Sequence, residues 1–334
     1  MTTPVTSRAR FIDIGILAYP GAQAAALHGL TDMFLTANRL CAEEGLRDVP
    51  TLRVSHWVQG AEGRVTRGFT APDAIPKLLD VLILPPCLGD PVWTAQGAPL
   101  LRFLKHQHGK GAVMSSVCAG AFLLAEAGLL DGRPATTHWS LAEKLQARFP
   151  EIAVDGDKLL IEDGDIITAG GVMAWVELGL KIIERFISPA IVLSVARFFL
   201  VDAAGREQRF YSAVSPKLAH GDAAILKVQH WLQRHAAEKL TLPQMAAQAK
   251  LGERTFLRRF QKATGFNPTR YLQLLRIAKA REMLELTNHK VDQIAWRVGY
   301  EDAGAFTKVF QASMGLTPSD YRRRFSVGGK RATE

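Results

Sequence analysis

The sequence has few of the residues that build disulfide or metal sites. Its 334 residues include three cysteines, an odd number, and none is part of a Cys-x-x-Cys motif. This argues against a disulfide framework and against a zinc site. The sequence also has no glycine-rich phosphate loop and no pair of carboxylates with catalytic spacing. We therefore expect neither a metal nor a cofactor, and the free thiols favour a reducing cytoplasm.

Long apolar runs are also absent. The most hydrophobic late segment, 188–201, is too short to cross a bilayer and contains Arg197. The chain is 48% hydrophobic and 22% charged, which is typical of a globular protein of two or three domains. We expect a cytoplasmic protein that is not bound to a membrane.

The positive charge is concentrated at one end of the chain. The formal net charge is +9, yet the residues before Gly221 contain 21 Lys and Arg against 22 Asp and Glu. From Gly221 onward there are 20 Lys and Arg against 10 Asp and Glu. A neutral body with a basic end is typical of a nucleic-acid-binding module attached to another domain. A basic face that contacts only solvent is the alternative.

Short apolar runs alternate with helical patterns over residues 1–204. Runs rich in Ile, Val and Leu predict four strands, at 11–19, 52–59, 80–86 and 111–117. Such alternation predicts an α/β domain, a parallel sheet with helices on both faces. Segment 158–171 predicts a hairpin with Asp163-Gly164 at its turn. Residues 205–220, polar and rich in small residues, are the predicted linker.

The remaining segment, 221–334, has only helical patterns and contains an internal repeat. Segments 241–268 and 290–318 share a frame. The equivalent pairs are Gln244/Gln293, Ala246/Ala295, Phe256/Phe306, Phe260/Phe310, Gln261/Gln311, Gly265/Gly315 and Pro268/Pro318. Each copy reads as two short helices around a turn, ended by glycine and proline. The repeat predicts two helix-turn-helix motifs joined by a long helix, 268–287.

Helical spacing indicates which side chains of each second helix would face DNA. The predicted DNA-contacting residues of the first motif are Arg254, Thr255, Leu257, Arg258 and Gln261, and those of the second are Ala303, Gly304, Thr307 and Lys308. Arg270 and Arg322 complete the set. Arginine can bind guanine through two hydrogen bonds, whereas the second set is short or directed at the DNA backbone. We therefore predict that the first motif supplies most of the sequence specificity.

The stretch SSVCAGAFLLAEAGLL, 115–130, predicts a tight turn between a strand and a helix. Cys118 stands at that turn, which is how many folds present a nucleophile. Three roles are open for Cys118: a catalytic thiolate, a contact to a ligand, or a small core residue.

The C-terminal part, residues 222–325, closely resembles the AraC/XylS DNA-binding domain. The resemblance is carried by the paired motifs, by FQKATGFNPTRYLQLLRIAKAREML and by GYEDAGAFTKVFQASMGLTPSDYRRRF. It implies two helix-turn-helix motifs on one rigid linker helix. Each would insert its second helix into the major groove of double-stranded DNA, on adjacent turns.

The N-terminal part resembles the class I glutamine amidotransferase-like fold, in its PfpI-like branch. The matching stretches are VLILPP, SSVCAGAFLLAEAGLLDG, ATTHW and IITAGG. Together the two parts look like a GlxA-type regulator. This resemblance implies a flavodoxin-like sensor domain that forms a homodimer and has a small-molecule pocket around the cysteine.

The resemblance also indicates the residues of the pocket. The candidates for contacting a ligand are Cys118, Ala119, Cys87, His138, Trp139 and His28. In catalytic relatives a carboxylate occupies the position of Ala26, and a glycine occupies that of Pro86. We therefore assign no catalytic residue and favour a pocket role for Cys118. We also expect Cys87 and Cys118 to meet at the carboxyl edge of the sheet, as two reduced thiols or as a redox switch.

Together these observations predict a ligand-responsive transcriptional regulator. We expect an activator, which would also contact RNA polymerase, and an effector that is a small nitrogenous metabolite. The alternative is a cysteine-dependent hydrolase or amidotransferase-like enzyme that carries a DNA-binding domain.

Overall fold

The computed structural model describes residues 11–46, 48–60, 64–71, 78–89, 97–202, 208, 218 and 220–326. The chain divides into two compact units, Met1–Gln208 and Arg209–Glu334. Most of the predicted linker, 205–220, lies outside the described residues, which include only Gln208, Leu218 and His220 of that segment.

A mostly parallel sheet forms the centre of the first unit. Its strands are β1 (Phe11–Ala18), β2 (Thr51–Gln59), β3 (Val65–Ala71), β4 (Val81–Leu84), β5 (Val113–Val117), β8 (Leu160–Asp163) and β9 (Ile166–Ala169). Their order is β3-β2-β1-β4-β5-β9-β8. The five inner strands are parallel, and the edge strands β3 and β8 are antiparallel to their neighbours. A separate pair joins β6 (Pro134–Ala135) to β7 (Ala153–Val154).

Helices cover both faces of this sheet. They are α1 (Ala24–Glu43), α2 (Gly97–Gly109), α3 (Gly120–Glu126), α4 (Ala142–Arg148), α5 (Trp175–Phe186) and α6 (Pro189–Phe199). One apolar core lies between the sheet and α1, α5 and α6, and the other lies between the sheet and α2, α3 and α4. The predicted α/β class is confirmed, since apolar strands buried on both faces require two helical layers.

The edges of the sheet show where strand prediction worked and where it did not. The predicted hairpin is β8–β9, with Gly164 at φ 65° in its turn. Strand β3 was not predicted, because its sequence, VTRGFTA, is interrupted by Arg67 and Gly68 and has no apolar alternation. It forms because it pairs antiparallel with β2, so tertiary pairing overrides a weak local preference.

The second unit contains only helices in its described part. They are α7 (Ala223–His235), α8 (Leu242–Gln248), α9 (Glu253–Thr264), α10 (Pro268–Leu286), α11 (Val291–Arg297), α12 (Ala303–Met314) and α13 (Pro318–Phe325). Helices α8–α9 and α11–α12 are the two helix-turn-helix motifs, and α10 joins them. This confirms the all-helical C-terminal class.

The sequence repeat corresponds to two equivalent apolar cores. In the first, the rings of Phe256 and Phe260 are 5.4 Å apart, and Phe260 is 5.3 Å from Tyr271. In the second, Phe306 and Phe310 are 5.6 Å apart, and Phe310 is 5.4 Å from Tyr321. These six rings are buried, and aromatic contacts of this kind add to the stability gained from apolar burial.

The other repeated residues begin and end the helices. The backbone N–H of Thr241 donates to Gln244, and that of Lys290 donates to Gln293, so the paired glutamines close the first turns of α8 and α11. Gly265 and Gly315 end α9 and α12 in the left-handed conformation. The motif boundaries are thus encoded locally.

We predict that Gly299→Ala destabilises the second unit. Gly299 turns between α11 and α12 with φ 90°, and a Cβ there would lie 2.5 Å from the Ala237 carbonyl oxygen. Left-handed strain and this clash should together lower the free energy of unfolding by about 1–3 kcal/mol. Urea unfolding of the full chain measures the change.

The control is Gly252→Ala, because a Cβ on Gly252 meets nothing within 4 Å and its φ is −67°. Alanine is a weaker N-cap than glycine but lowers the entropy of the unfolded chain, so we expect a net change in the free energy of unfolding of only a few tenths of a kcal/mol. Equal effects of the two substitutions would contradict the prediction.

Candidate sensor site and nucleic-acid interface

Cys118 occupies the tight turn between β5 and α3. Its φ is 54°, in the left-handed region that few residues other than glycine adopt. The Cys118 N–H donates to the Ala169 carbonyl at 2.8 Å, and the Thr137 hydroxyl donates to the Cys118 carbonyl at 2.7 Å. Two residues on, a Cβ at Gly120 would lie 2.6 Å from the Leu84 carbonyl oxygen. Glycine at position 120 therefore lets α3 start directly against β4.

The Cys118 thiol is buried, and its surroundings favour the neutral form. Burial raises the pKa of Cys118 to about 11, and a charge on Cys87 raises it further. The backbone N–H groups of Ala119 and His138 lower the pKa of this thiol, but burial outweighs them. At neutral pH Cys118 is a protonated thiol, whereas catalytic cysteines have a lowered pKa.

Cys87 follows β4 at the same edge of the sheet at which Cys118 follows β5. Its sulfur packs against the loop after β1, since a Cβ on Gly21 would lie 2.8 Å from it. The Tyr19 hydroxyl donates to the Pro85 carbonyl. Burial raises the pKa of Tyr19 well above its usual value, and charges on both cysteines raise it further. The redox behaviour of the two thiols stays a prediction.

The His138 ring forms hydrogen bonds with Ser140. The ring nitrogen Nδ1 lies 2.7 Å from the Ser140 hydroxyl and accepts from the Ser140 N–H at 3.2 Å, so it caps a short 3₁₀ turn. Burial lowers the pKa of His138, which keeps the ring neutral at pH 7. The Trp139 ring packs on the His138 ring, with 5.3 Å between centroids.

His28 lies on the exposed side of α1. Its ring packs edge-on against His56 at 5.5 Å, and His56 in turn lies 2.7 Å from the Thr31 hydroxyl. These contacts occur at the β2 side of the unit, and they give His28 a packing role.

The start of α1 has no acid that could assist the thiol. Ala26, at the position of the carboxylate in catalytic relatives, is fully buried. The preceding Gln23 donates its backbone N–H to the Pro86 carbonyl at 2.8 Å, which fixes the loop after β4. Its Oε1 is buried without a hydrogen-bond partner, as is the Trp175 indole nitrogen. Buried polar atoms without a protein partner normally have another one, such as an ordered water, an ion or a ligand.

Gln208 is a site residue that the sequence did not reveal. Its side chain is 2% exposed and hydrogen-bonds to the segment that contains Thr137 and Trp139. A glutamine in a polar stretch gives no periodic signal, so only the tertiary hydrogen bonds identify it.

In the second unit, α9 presents long side chains to solvent. Arg254, Thr255, Leu257 and Arg258 are exposed, on the face opposite to the buried Phe256 and Phe260. The predicted contact Gln261 is also exposed, but its amide donates to the Gly265 carbonyl at 2.8 Å and so caps the helix.

The equivalent face of α12 has shorter side chains, and some of them are partly buried. Gly304 and Lys308 are exposed, whereas Ala303 and Thr307 are half-buried and the Thr307 hydroxyl donates to the Ala303 carbonyl. The Asp302 carboxylate accepts from the N–H groups of Gly304 and Ala305. It therefore occupies donors that could otherwise bind a phosphate.

Arg270 on α10 and Arg322 on α13, the two predicted DNA contacts outside α9 and α12, differ in their hydrogen-bond partners. Arg270 is exposed and donates to Gln273 at 3.1 Å, so it can be redirected to a phosphate. Arg322 is half-buried and donates to the His289 carbonyl, which ties α13 to the loop before α11. This contact gives Arg322 a role in positioning the second motif.

Two other kinds of site are absent from the described part of the chain. No group of three His, Cys, Asp or Glu among them could hold a metal ion. Within the same residues, no helix combines the length and the apolar character that crossing a membrane requires.

Comparisons with known proteins agree with this division into two parts. Residues 245–324 match a helix-turn-helix domain family, and residues 51–185 match the DJ-1/PfpI family. The geometry and these matches define a two-part DNA-binding protein. The chain is an AraC-family helix-turn-helix regulator with an N-terminal DJ-1/PfpI domain, and it binds DNA through the helix-turn-helix domain.

Named relatives with similar sequences are also regulators. The chain is 28% identical to the HTH-type transcriptional regulator CdhR of Pseudomonas aeruginosa, over 70% of each chain. It is 26% identical to the HTH-type transcriptional regulator GbdR of the same species, over 68% of this chain and 62%, less than two thirds, of GbdR. A solved AraC family transcriptional regulator from Pseudomonas putida is 20% identical, with a TM-score of 0.43 over 57% of this chain and 99% of that one.

We predict that Cys118 reacts far more slowly with iodoacetamide than Cys87 does in the native protein. With a pKa of about 11, Cys118 has very little thiolate at pH 8. Its alkylation should be about a hundredfold slower than that of an ordinary thiol and should accelerate as pH rises. Mass spectrometry of the alkylated peptides over time measures both rates. Alkylation of Cys118 at the rate of Cys87 would show that the thiol is activated.

Proposed function

We propose that this protein is a cytoplasmic, ligand-responsive transcriptional activator. A small nitrogenous metabolite binds the DJ-1/PfpI domain near Cys118, and its binding changes how the helix-turn-helix domain engages promoter DNA and RNA polymerase. The protein acts as a homodimer through its N-terminal domain. The observation that carries the proposal is that the chain combines two features: the second unit has an exposed basic helix, α9, and the first unit has a buried, protonated cysteine at the turn before α3.

The surface of the second unit supports sequence-specific binding by α9. Arg254 and Arg258 are four positions apart on an exposed face, the spacing at which helical side chains lie side by side. In contrast, Arg259, on the flank of the same helix, is bound to Asp222 through two hydrogen bonds of 2.7 and 2.9 Å. Arg254 and Arg258 are thus left to read guanine, while Arg259 anchors α9 to α7.

The chemistry of the elbow supports sensing in preference to catalysis. A nucleophilic cysteine needs a base or an ion-pair partner that raises its thiolate fraction. Here the His138 ring is directed to Ser140, Ala26 replaces the acid, and the pKa of the thiol is raised. Gln23 Oε1 and Trp175 Nε1 supply unpaired polar atoms for a ligand with donor and acceptor groups, as in a nitrogenous metabolite.

We predict that Arg258→Ala weakens binding of the full-length protein to its selected operator by about 1–3 kcal/mol, with a loss of base preference at one half-site. Lys308→Ala should weaken binding to all sequences alike and reduce the salt dependence by about one unit of slope. Fluorescence anisotropy with operator variants at several salt concentrations measures both effects.

The control for non-specific effects is Arg185→Ala, which removes a sensor-domain arginine that is paired with Glu162. It should leave DNA affinity unchanged. If substitutions in the half-site read by α12 cost as much as those in the half-site read by α9, the proposed asymmetry is wrong.

We predict that a thermal-shift screen of the full chain with amines and amino-acid derivatives finds a ligand that raises Tm. Binding only to the folded state adds stability, about 2.7 kcal/mol at a hundred times Kd. Cys118→Ala should reduce the rise in Tm that the ligand causes. Cys41→Ala, which changes a buried cysteine on α1, should lower the Tm of the free protein but leave the ligand-induced rise unchanged. Turnover of the ligand that is lost in Cys118→Ala would favour the hydrolase alternative and contradict the proposal.

A further inference from the structure

The side chain of Gln208 is held in a polar seat on the sensor unit. Its amide nitrogen Nε2 donates to the Thr137 carbonyl at 2.8 Å, the Lys158 carbonyl at 2.9 Å and the Thr136 hydroxyl at 3.2 Å. Its oxygen Oε1 accepts from the N–H groups of Trp139 at 3.0 Å and Gly171 at 3.1 Å. Every donor and acceptor of the carboxamide is satisfied.

The seat is specific for a carboxamide. Carbonyl oxygens surround Nε2 and N–H groups surround Oε1, so a carboxylate would place an oxygen against two carbonyls and an ammonium would face two donors. The seat is also shaped for this group, because a Cβ on Gly170 would lie 2.0 Å from Gln208 Nε2. Only glycine at position 170 leaves the space that the amide fills.

One peptide group connects this seat to the elbow. The Thr137 carbonyl accepts from Gln208 at 2.8 Å, and the hydroxyl of the same residue donates to the Cys118 carbonyl at 2.7 Å. The N–H of this peptide, that of His138, lowers the pKa of Cys118. Because a peptide group is planar, a rotation that redirects its N–H also redirects its carbonyl. A ligand that engages the Cys118 sulfur or the His138 N–H therefore alters the seat of Gln208.

We propose that Gln208 is a latch: its carboxamide binds this seat in the absence of effector and fixes the chain where it passes into the DNA-binding unit, which starts at Arg209. Effector binding at the elbow turns the Thr137–His138 peptide and releases Gln208. This inference rests on the proposed function. It adds the step by which effector binding in the sensor unit would affect the DNA-binding unit.

The test uses a steric variant that leaves Gln208 itself intact. Gly170→Ala places a methyl group where the amide sits, whereas a Cβ on the adjacent Gly171 meets nothing within 4 Å, so Gly171→Ala is the matched control. The full-length proteins are digested briefly with trypsin, and cleavage after Arg206 and Arg209, which flank the latch in sequence, is followed by mass spectrometry. Gly170→Ala should raise the cleavage rate about tenfold, since Gln208 must leave its seat before trypsin can bind the sequence around it. Gly171→Ala should change it by less than about twofold.

A second variant separates loss of the latch from loss of folding. Gln208→Glu keeps the size of the side chain but removes its donors, so it should raise cleavage as Gly170→Ala does. Gln244→Glu is its control, because exposed Gln244 accepts through Oε1 from the Thr241 N–H and glutamate retains that acceptor. Circular dichroism of all variants should show the same helix content as the unsubstituted chain. Unchanged cleavage in both Gly170→Ala and Gln208→Glu would overturn the latch.

DNA affinity of the same variants tests whether the latch transmits a signal. Gly170→Ala and Gln208→Glu should each change the affinity of the full-length protein for its selected operator by about fivefold or more, the lower range of allosteric coupling. Increased cleavage with unchanged affinity would overturn the regulatory role. Failure of the unsubstituted protein to bind DNA would instead contradict the proposed function, whereas the cleavage result is independent of it.

Discussion

The turn at Cys118 organises the sensor unit, because three backbone segments from different parts of the chain converge on it. Ala169 at the end of β9 accepts its N–H, Thr137 donates to its carbonyl, and Leu84 of β4 lies directly under Gly120. The close packing that makes this turn possible also buries the thiol, and burial raises its pKa. The geometry of a nucleophile turn is therefore present without the electrostatics that would activate it. Such a turn supplies the rigid frame that the proposed ligand site needs.

The second unit uses one structural plan twice with different surfaces. The three aromatic rings around Phe260 and the three around Phe310 have nearly equal centroid distances, because core positions are constrained by packing. Exposed positions carry no such constraint. Arg258 in α9 corresponds to Lys308 in α12, and the uncapped start at Gly252 corresponds to the carboxylate cap at Asp302. The same backbone thus presents different side chains in the two motifs, as the proposed division between base reading and positioning requires.

The sequence predicted those features that depend on local periodicity. The helices, the inner strands, the hairpin at Gly164 and the repeat of α8–α9 in α11–α12 all leave spacing patterns of apolar, glycine or proline residues. Features that depend on tertiary partners were missed. Strand β3 needed β2, the His138 ring turned to Ser140, and Gln261 was used as a cap. The seat of Gln208 draws on residues up to 72 positions away, which no local pattern can show.

The energy scale of that seat suits a switch. Each hydrogen bond of a neutral amide contributes about 1 kcal/mol net, and ordering the residue that makes them costs about 1–2 kcal/mol of backbone entropy. The carboxamide has two N–H donors and one oxygen with two lone pairs, so about four such bonds hold Gln208 with a few kcal/mol. A small molecule bound at micromolar affinity has about −8 kcal/mol available, so it can rotate the Thr137–His138 peptide, lose part of that energy and still bind. A latch formed by charged groups in the same buried position would be costly to desolvate and hard to reverse. A neutral carboxamide, fully satisfied when seated and readily hydrated when released, is suited to both states.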